Sequence, residues 1–104
     1  GDDAVLYTLG EITIGANSVV SQKCYLCTGS HDFMSPHFDI TASPVVIGEK
    51  CWLATDVFVA PGVSVGDGTV VGARSSVFKS LPANKICRGN PAVVIRERVE
   101  TEKL

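Results

Sequence analysis

Apolar residues recur every six positions through the second half of the chain: Ile47, Leu53, Val59, Val65, Val71 and Val77. A helix repeats near 3.6 residues and a strand near 2, so a strict period of six belongs to neither alone. The next residue is small in five of six cases (Gly48, Ala54, Ala60, Gly66, Gly72), and Phe78 is the exception. The fourth residue on is small or modest as well: Cys51, Val57, Val63, Thr69 and Ser75. Nearer the start, Ile14, Val20 and Leu26 keep the same spacing. This hexapeptide repeat predicts a parallel β-helix, with three hexapeptides to one coil of a triangular prism. Each repeated aliphatic points inward and stacks on its counterpart one coil away, about 4.8 Å distant. Small residues let the chain turn tightly at the corners. Gly29, Gly62 and Gly68 suit corners with positive φ, and Asn17 is a natural substitute there.

One domain is expected over residues 1–104, with an excursion loop near 28–45 and a C-terminal extension near 81–104. The loop stretch departs from the repeat and contains Gly29, Pro36 and Pro44. The step from Leu26 to Ile47 is 21 residues, which reads as a full coil of 18 with three in excess. After Val77 the pattern stops. Leu81 to Asn84 reads as a turn, Val94-Ile95 as a short strand, and Arg96 to Leu104 as a frayed helix or loose tail.

An offset of 18 means the same face on the next coil. Trp52 lies 18 before Val70, and both occupy the outward sixth position that Val19, Tyr25 and Phe58 also hold. A Trp over a Val on an outer wall predicts a flank buried between copies, and a homotrimer covers prism sides most simply. Composition agrees, since 45% of the chain is hydrophobic and only 19% charged. The net charge of −2, with no long Lys/Arg run, argues against nucleic acid. The chain has no apolar run of about 18 residues and no signal-peptide core, so membrane insertion is not expected and a cytoplasmic setting is. It begins at Gly1 without Met, which leaves a preceding segment open.

Cys24 and Cys27 are spaced like half a zinc site, with Cys51 and Cys87 as possible partners. Their register favours packing instead. Cys24 and Cys51 share the small corner position with Ser18, Thr69 and Ser75, where free Cys acts as a small hydrophobe. No metal is expected. For proton transfer near neutral pH the chain offers two histidines, His31 and His37, both in the excursion. His31 follows Gly29-Ser30 where the loop leaves the coil, so the frame positions it. His37 reads as a solvated loop residue.

The string Tyr25-Leu26-Cys27-Thr28-Gly29-Ser30-His31-Asp32, then Cys51-Trp52-Leu53-Ala54, Val59-Ala60-Pro61-Gly62-Val63 and Gly89-Asn90-Pro91-Ala92, resembles the hexapeptide-repeat O-acetyltransferases. Within that family the chain is most similar to the colanic-acid and exopolysaccharide biosynthesis acetyltransferases. The resemblance implies a left-handed β-helix, an exception to the right-handed crossover rule. It implies a homotrimer with acetyl-CoA as co-substrate in the groove between neighbouring copies. It also implies transfer of acetyl to a hydroxyl of a sugar or glycan precursor, with His31 as general base and no acyl-enzyme. Coenzyme positions carry over to Thr55, Ala73, Lys79 and Arg96, and Ala73 falls 18 residues after Thr55 on the same edge. Val93 stands where many relatives carry a basic residue. Relatives also carry further coils and a segment before the position of Val5. Two other classes stay open: an inactive prism serving only assembly, and a γ-type carbonic anhydrase, which needs three histidines around zinc.

Overall fold

In the computed structural model, which describes residues 4–7, 10–31 and 40–99, the hexapeptides wind into stacked coils. A first strand, β1 (Val5–Tyr7), precedes a coil of β2 (Ile12–Ile14), β3 (Val19–Val20) and β4 (Tyr25–Cys27). Then β5 (Gly29–His31) and β6 (Ile40–Ala42) pair antiparallel as an arm. Two coils follow: β7 (Val45–Ile47), β8 (Trp52–Leu53) and β9 (Phe58–Val59), then β10 (Ser64–Val65), β11 (Val70–Val71) and β12 (Ser76–Val77). The stack closes with β13 (Lys85–Gly89) and β14 (Ala92–Glu97), joined across a cis Asn90–Pro91 bond. Strands stack in parallel as face I (β2, β7, β10), face II (β3, β8, β11, β13) and face III (β1, β4, β9, β12), with β14 antiparallel at the end of face II. The chain visits the faces in the order I, II, III. This is the parallel β-helix that the six-residue period predicts.

The inward aliphatics form the core. Leu26, Val59 and Val77 on face III are fully buried, as are Leu53, Val71 and Cys87 on face II. Corner residues fill the space between these ladders, and Cys24, Cys51, Val57, Val63, Thr69 and Ser75 are all buried. Their hydroxyls stitch coils together. Ser18 Oγ donates to Gly48 O at 2.6 Å and accepts from Cys51 N at 2.9 Å, while Ser75 Oγ accepts from Gly89 N at 3.0 Å. Buried polar groups are thereby satisfied, as they must be in an apolar interior. The small residue after each inward aliphatic has a steric cause. A Cβ on Gly66 would lie 2.5 Å from Ala83 N of the next coil.

Corners turn through the left-handed region. Asn17, Lys50, Gly68 and Asn84 do so between faces I and II, and Lys23, Asp56 and Arg74 between faces II and III. Lys50 N donates to Ala16 O, Asp56 N to Gln22 O and Arg74 N to Thr55 O, so each strained corner is tied to the one before it. Gly62 and Gly68 adopt positive φ as expected. Gly29 does not: the chain leaves the coil there, and Gly29 pairs with Ala42 inside the arm.

Three further expectations need correction. The excursion is not a coil with three residues to spare. Thr13 pairs with Val46, Val19 with Trp52 and Tyr25 with Phe58, an offset of 33 on every face. Since plain coils are offset by 18, as for Trp52 and Val70, the arm inserts 15 residues at the III/I corner and leaves the register intact. Nor does the pattern stop at Val77. Leu81 bridges Val65 and Cys87 pairs with Val71, so a fourth coil starts with a spacing shortened to 16. Finally, Arg96 and Glu97 are neither helix nor loose tail but the end of β14, opposite Ile86 and Lys85. Residues 100–104 lie outside the described residues.

Candidate functional site

Thr55 and Ala73 each stand two residues after an inward ladder residue, Leu53 and Val71, whose strands pair directly. That register sets one above the other on the II/III edge. Arg74 N donates to Thr55 O at 2.9 Å, which ties the two corners together. Thr55 Oγ1 donates to Gln22 O at 3.2 Å, so Gln22 is the next member of this edge toward the N-terminus. Thr55 is half-buried and Ala73 exposed, so two short side chains stack at this edge. Gln22 is not among the sequence-derived candidates. The inserted arm changes its spacing to Thr55 from 18 to 33, which hides the alignment.

His31 belongs to the III/I corner. Thr28 at the foot of the arm is fully buried. Its Oγ1 accepts from Gly10 N at 2.8 Å, and its carbonyl accepts from Ser43 N at 2.8 Å. Above this foot Gly29 pairs with Ala42, Ser30 with Thr41 and His31 with Ile40. The backbone of His31 is therefore held in a two-stranded ladder rather than in an open loop. His37 and Asp32 lie outside the described residues. Lys79 sits exposed at this same corner, two coils on. Its neighbour Phe78, the residue that breaks the small-residue rule, is 53% exposed with its ring 5.8 Å from Phe58. Phe58 is in turn 5.8 Å from Tyr25, so three aromatic rings climb face III.

Arg96 lies on β14 beyond the end of face II, exposed, with Nη1 donating to Glu97 O at 3.0 Å. The candidates thus fall in three places on one chain. Thr55 and Ala73 share one edge, His31 and Lys79 share another across face III, and Arg96 is at the end of the stack. On face II the outward pair of Trp52 and Val70 is half-buried, with Trp52 Nε1 donating to Ser21 Oγ at 3.1 Å.

Burial pushes the thiols of Cys24, Cys51 and Cys87 above the usual range, in each case mainly by desolvation. All four cysteines are free thiols, with Cys24, Cys51 and Cys87 packed in the core and Cys27 half-buried. Among the described residues no group of three His, Cys, Asp or Glu is placed to hold a metal ion. No helix among them is long and apolar enough to cross a membrane.

The coil is that of a left-handed parallel β-helix. The family model for the bacterial transferase hexapeptide (six repeats) matches residues 44–79. Over 102 residues, 98% of this chain, the sequence is 84% identical to a protein assigned as a colanic acid biosynthesis acetyltransferase in Escherichia coli K12, covering 56% of it. A hexapeptide-repeat acetyltransferase of Vibrio cholerae, solved with acetyl coenzyme A, superposes with a TM-score of 0.87 at 27% identity, over 94% of this chain and 55% of that one. A maltose O-acetyltransferase of Clostridium difficile does so with 0.89 at 31% identity, over 95% and 55%. The chain belongs to the hexapeptide-repeat acetyltransferase family. It spans little more than half the length of these relatives.

Proposed function

We propose that this chain supplies the coenzyme edge and the base-bearing arm of an acetyltransferase, which moves acetyl from acetyl-CoA to a hydroxyl of a sugar or glycan precursor. The observation that carries the reading is the vertical stacking of Thr55 over Ala73 on an open edge of short side chains. Such an edge offers a regularly spaced, unobstructed track to an extended ligand. The Vibrio cholerae relative was solved with acetyl coenzyme A, and the named relatives act on sugars or in polysaccharide synthesis, which supports the choice of donor and acceptor.

In this reading the imidazole of His31 takes the proton of the acceptor hydroxyl as that oxygen attacks the thioester carbonyl. The tetrahedral intermediate collapses, the C–S bond breaks, and His31 returns the proton to the departing thiolate. The products are an O-acetyl ester and free coenzyme A. No acyl-enzyme forms, and the three thiols whose ionisation burial opposes are poor nucleophiles. Lys79 and Arg96 meet the phosphate charge of the coenzyme.

Because the arm and the coenzyme edge leave one prism at different corners, the reaction centre is shared between copies, His31 of one facing Thr55 and Ala73 of the next. A homotrimer satisfies this with the half-buried Trp52 and Val70 wall at the contact. Four free thiols suit a reducing, cytoplasmic setting.

Coenzyme A titration by calorimetry and thiol release in a turnover assay test the reading. His31→Ala is expected to lower kcat by about 10²–10⁴ while leaving coenzyme affinity within about twofold. Coenzyme binding without turnover in the unaltered protein points to the inactive prism, and unchanged turnover in His31→Ala removes the base.

A further inference from the structure

From its hydrogen bonds we infer that Arg98 is a positioning residue for coenzyme binding: it clasps β14 to the prism and so fixes Arg96. The inference rests on the acetyl-CoA reading above for its functional half.

Arg98 follows directly on β14, two residues after Arg96. Its backbone N donates to Asn84 O at 2.9 Å. Its Nη1 donates to Lys50 O at 3.0 Å and to Gly68 O at 2.8 Å. These three acceptors are consecutive members of one edge: Lys50, Gly68 and Asn84 are the left-handed corners between faces I and II. One residue therefore grips three successive coils. A single guanidinium nitrogen with two N–H groups fits between two stacked carbonyls, a geometry that a lysine ammonium on its shorter stem does not reproduce.

The clasp matters because β14 is the last strand of the stack. Among the described residues its one strand neighbour is β13, the ladder shifts register between Ile86 and Cys87, and Val93, Val94 and Ile95 are each about half exposed. An end strand with so little buried surface frays readily. An ion pair between Lys85 and Glu97 and the grip of Arg98 fasten its far end. Arg96, opposite Ile86, lies between these holds and the exposed apolar stretch, so closure of that end helps set its place above face II. Cation placement sets how well a phosphate is met, and a strand that opens lowers the fraction of chains competent to bind.

The experiment uses the full chain. Coenzyme A affinity and acetyl-CoA kinetics are measured for Arg98→Met, Arg98→Lys, Arg96→Ala and the Arg96→Ala/Arg98→Met pair, with amide exchange followed along β14. Arg98→Met is expected to weaken coenzyme binding and raise the KM for acetyl-CoA about tenfold, with kcat at saturation nearly unchanged, as loss of one charge-assisted contact predicts. Arg98→Lys recovers part of the affinity. The double variant binds no more weakly than Arg96→Ala alone, since both changes remove one contribution. Exchange at Val94 to Glu97 accelerates while the ladders of Leu53 and Val71 stay protected. Wild-type affinity in Arg98→Met, or additive losses in the double variant, overturns the positioning role. If the unaltered protein binds no coenzyme, the acetyl-CoA reading fails instead. Amide exchange then still decides the clasp, and unchanged β14 protection in Arg98→Met rejects it.

Discussion

Buried thiols and strained corners carry most of what single residues contribute. Cys24, Cys51 and Cys87 are fully buried and their ionisation is opposed by desolvation, whereas Cys27 is half-buried with Sγ donating to Gly29 O at 3.1 Å. A thiol reagent applied to the native protein should therefore modify Cys27 first and the other three only on unfolding, read by mass spectrometry of the labelled peptides. Since the folded values of those three lie above the unfolded ones, their stabilisation is complete below the ordinary thiol range. It is lost as pH rises from there through the raised folded values, so the urea midpoint should fall in alkaline solution. The corners give a second test. Lys23 holds φ 62, a conformation that costs a residue with a Cβ about 1–2 kcal/mol. Lys23→Asn should raise stability by about 0.5 kcal/mol, because Asn tolerates that region better. Gly66→Ala should lower it by about 2 kcal/mol, since its Cβ would press on the Ala83 backbone. Thermal or urea unfolding measures both.

Among elements, the arm depends on its foot. Thr28 is buried and satisfies Gly10 N, so Thr28→Val keeps the shape but leaves that amide without its partner at a cost of about 1–3 kcal/mol. The strain falls beneath His31 and away from the II/III edge. Turnover should drop several-fold while coenzyme affinity holds, a split that paired kinetics and calorimetry detect. The elements were unequally legible from sequence. Every inward strand of the regular coils follows from the six-residue period, because an aliphatic must enter the core once per face. The fourth coil did not show itself: Leu81 and Cys87 lie on the ladders, but Pro82 sits in a corner shortened to give a spacing of 16. β14 was half hidden because its partner is antiparallel and its apolar residues face outward, leaving no ladder to extend.

At the scale of the molecule, outward apolar residues line two faces: Val19, Trp52 and Val70 on face II, Tyr25, Phe58 and Phe78 on face III. Trp52→Glu should dissociate the proposed homotrimer, shown by sedimentation, and abolish turnover with it, because the proposed reaction centre draws on two copies. Spacing made the Thr55 and Ala73 edge legible, since an offset of 18 is a spatial statement in this fold. The clasp of Arg98 was not legible, because its partners are main-chain oxygens, which carry no signature in side-chain type.

The offset of 33 on all three faces has an evolutionary corollary. A detour at the III/I corner adds length without shifting any other rung, so the stretch beyond His31 is free to lengthen or shorten while the Thr55 and Ala73 edge stays put. For the proposed transferase, new acceptor preferences arise by exchanging that one module, much as a tool head is changed on a fixed handle.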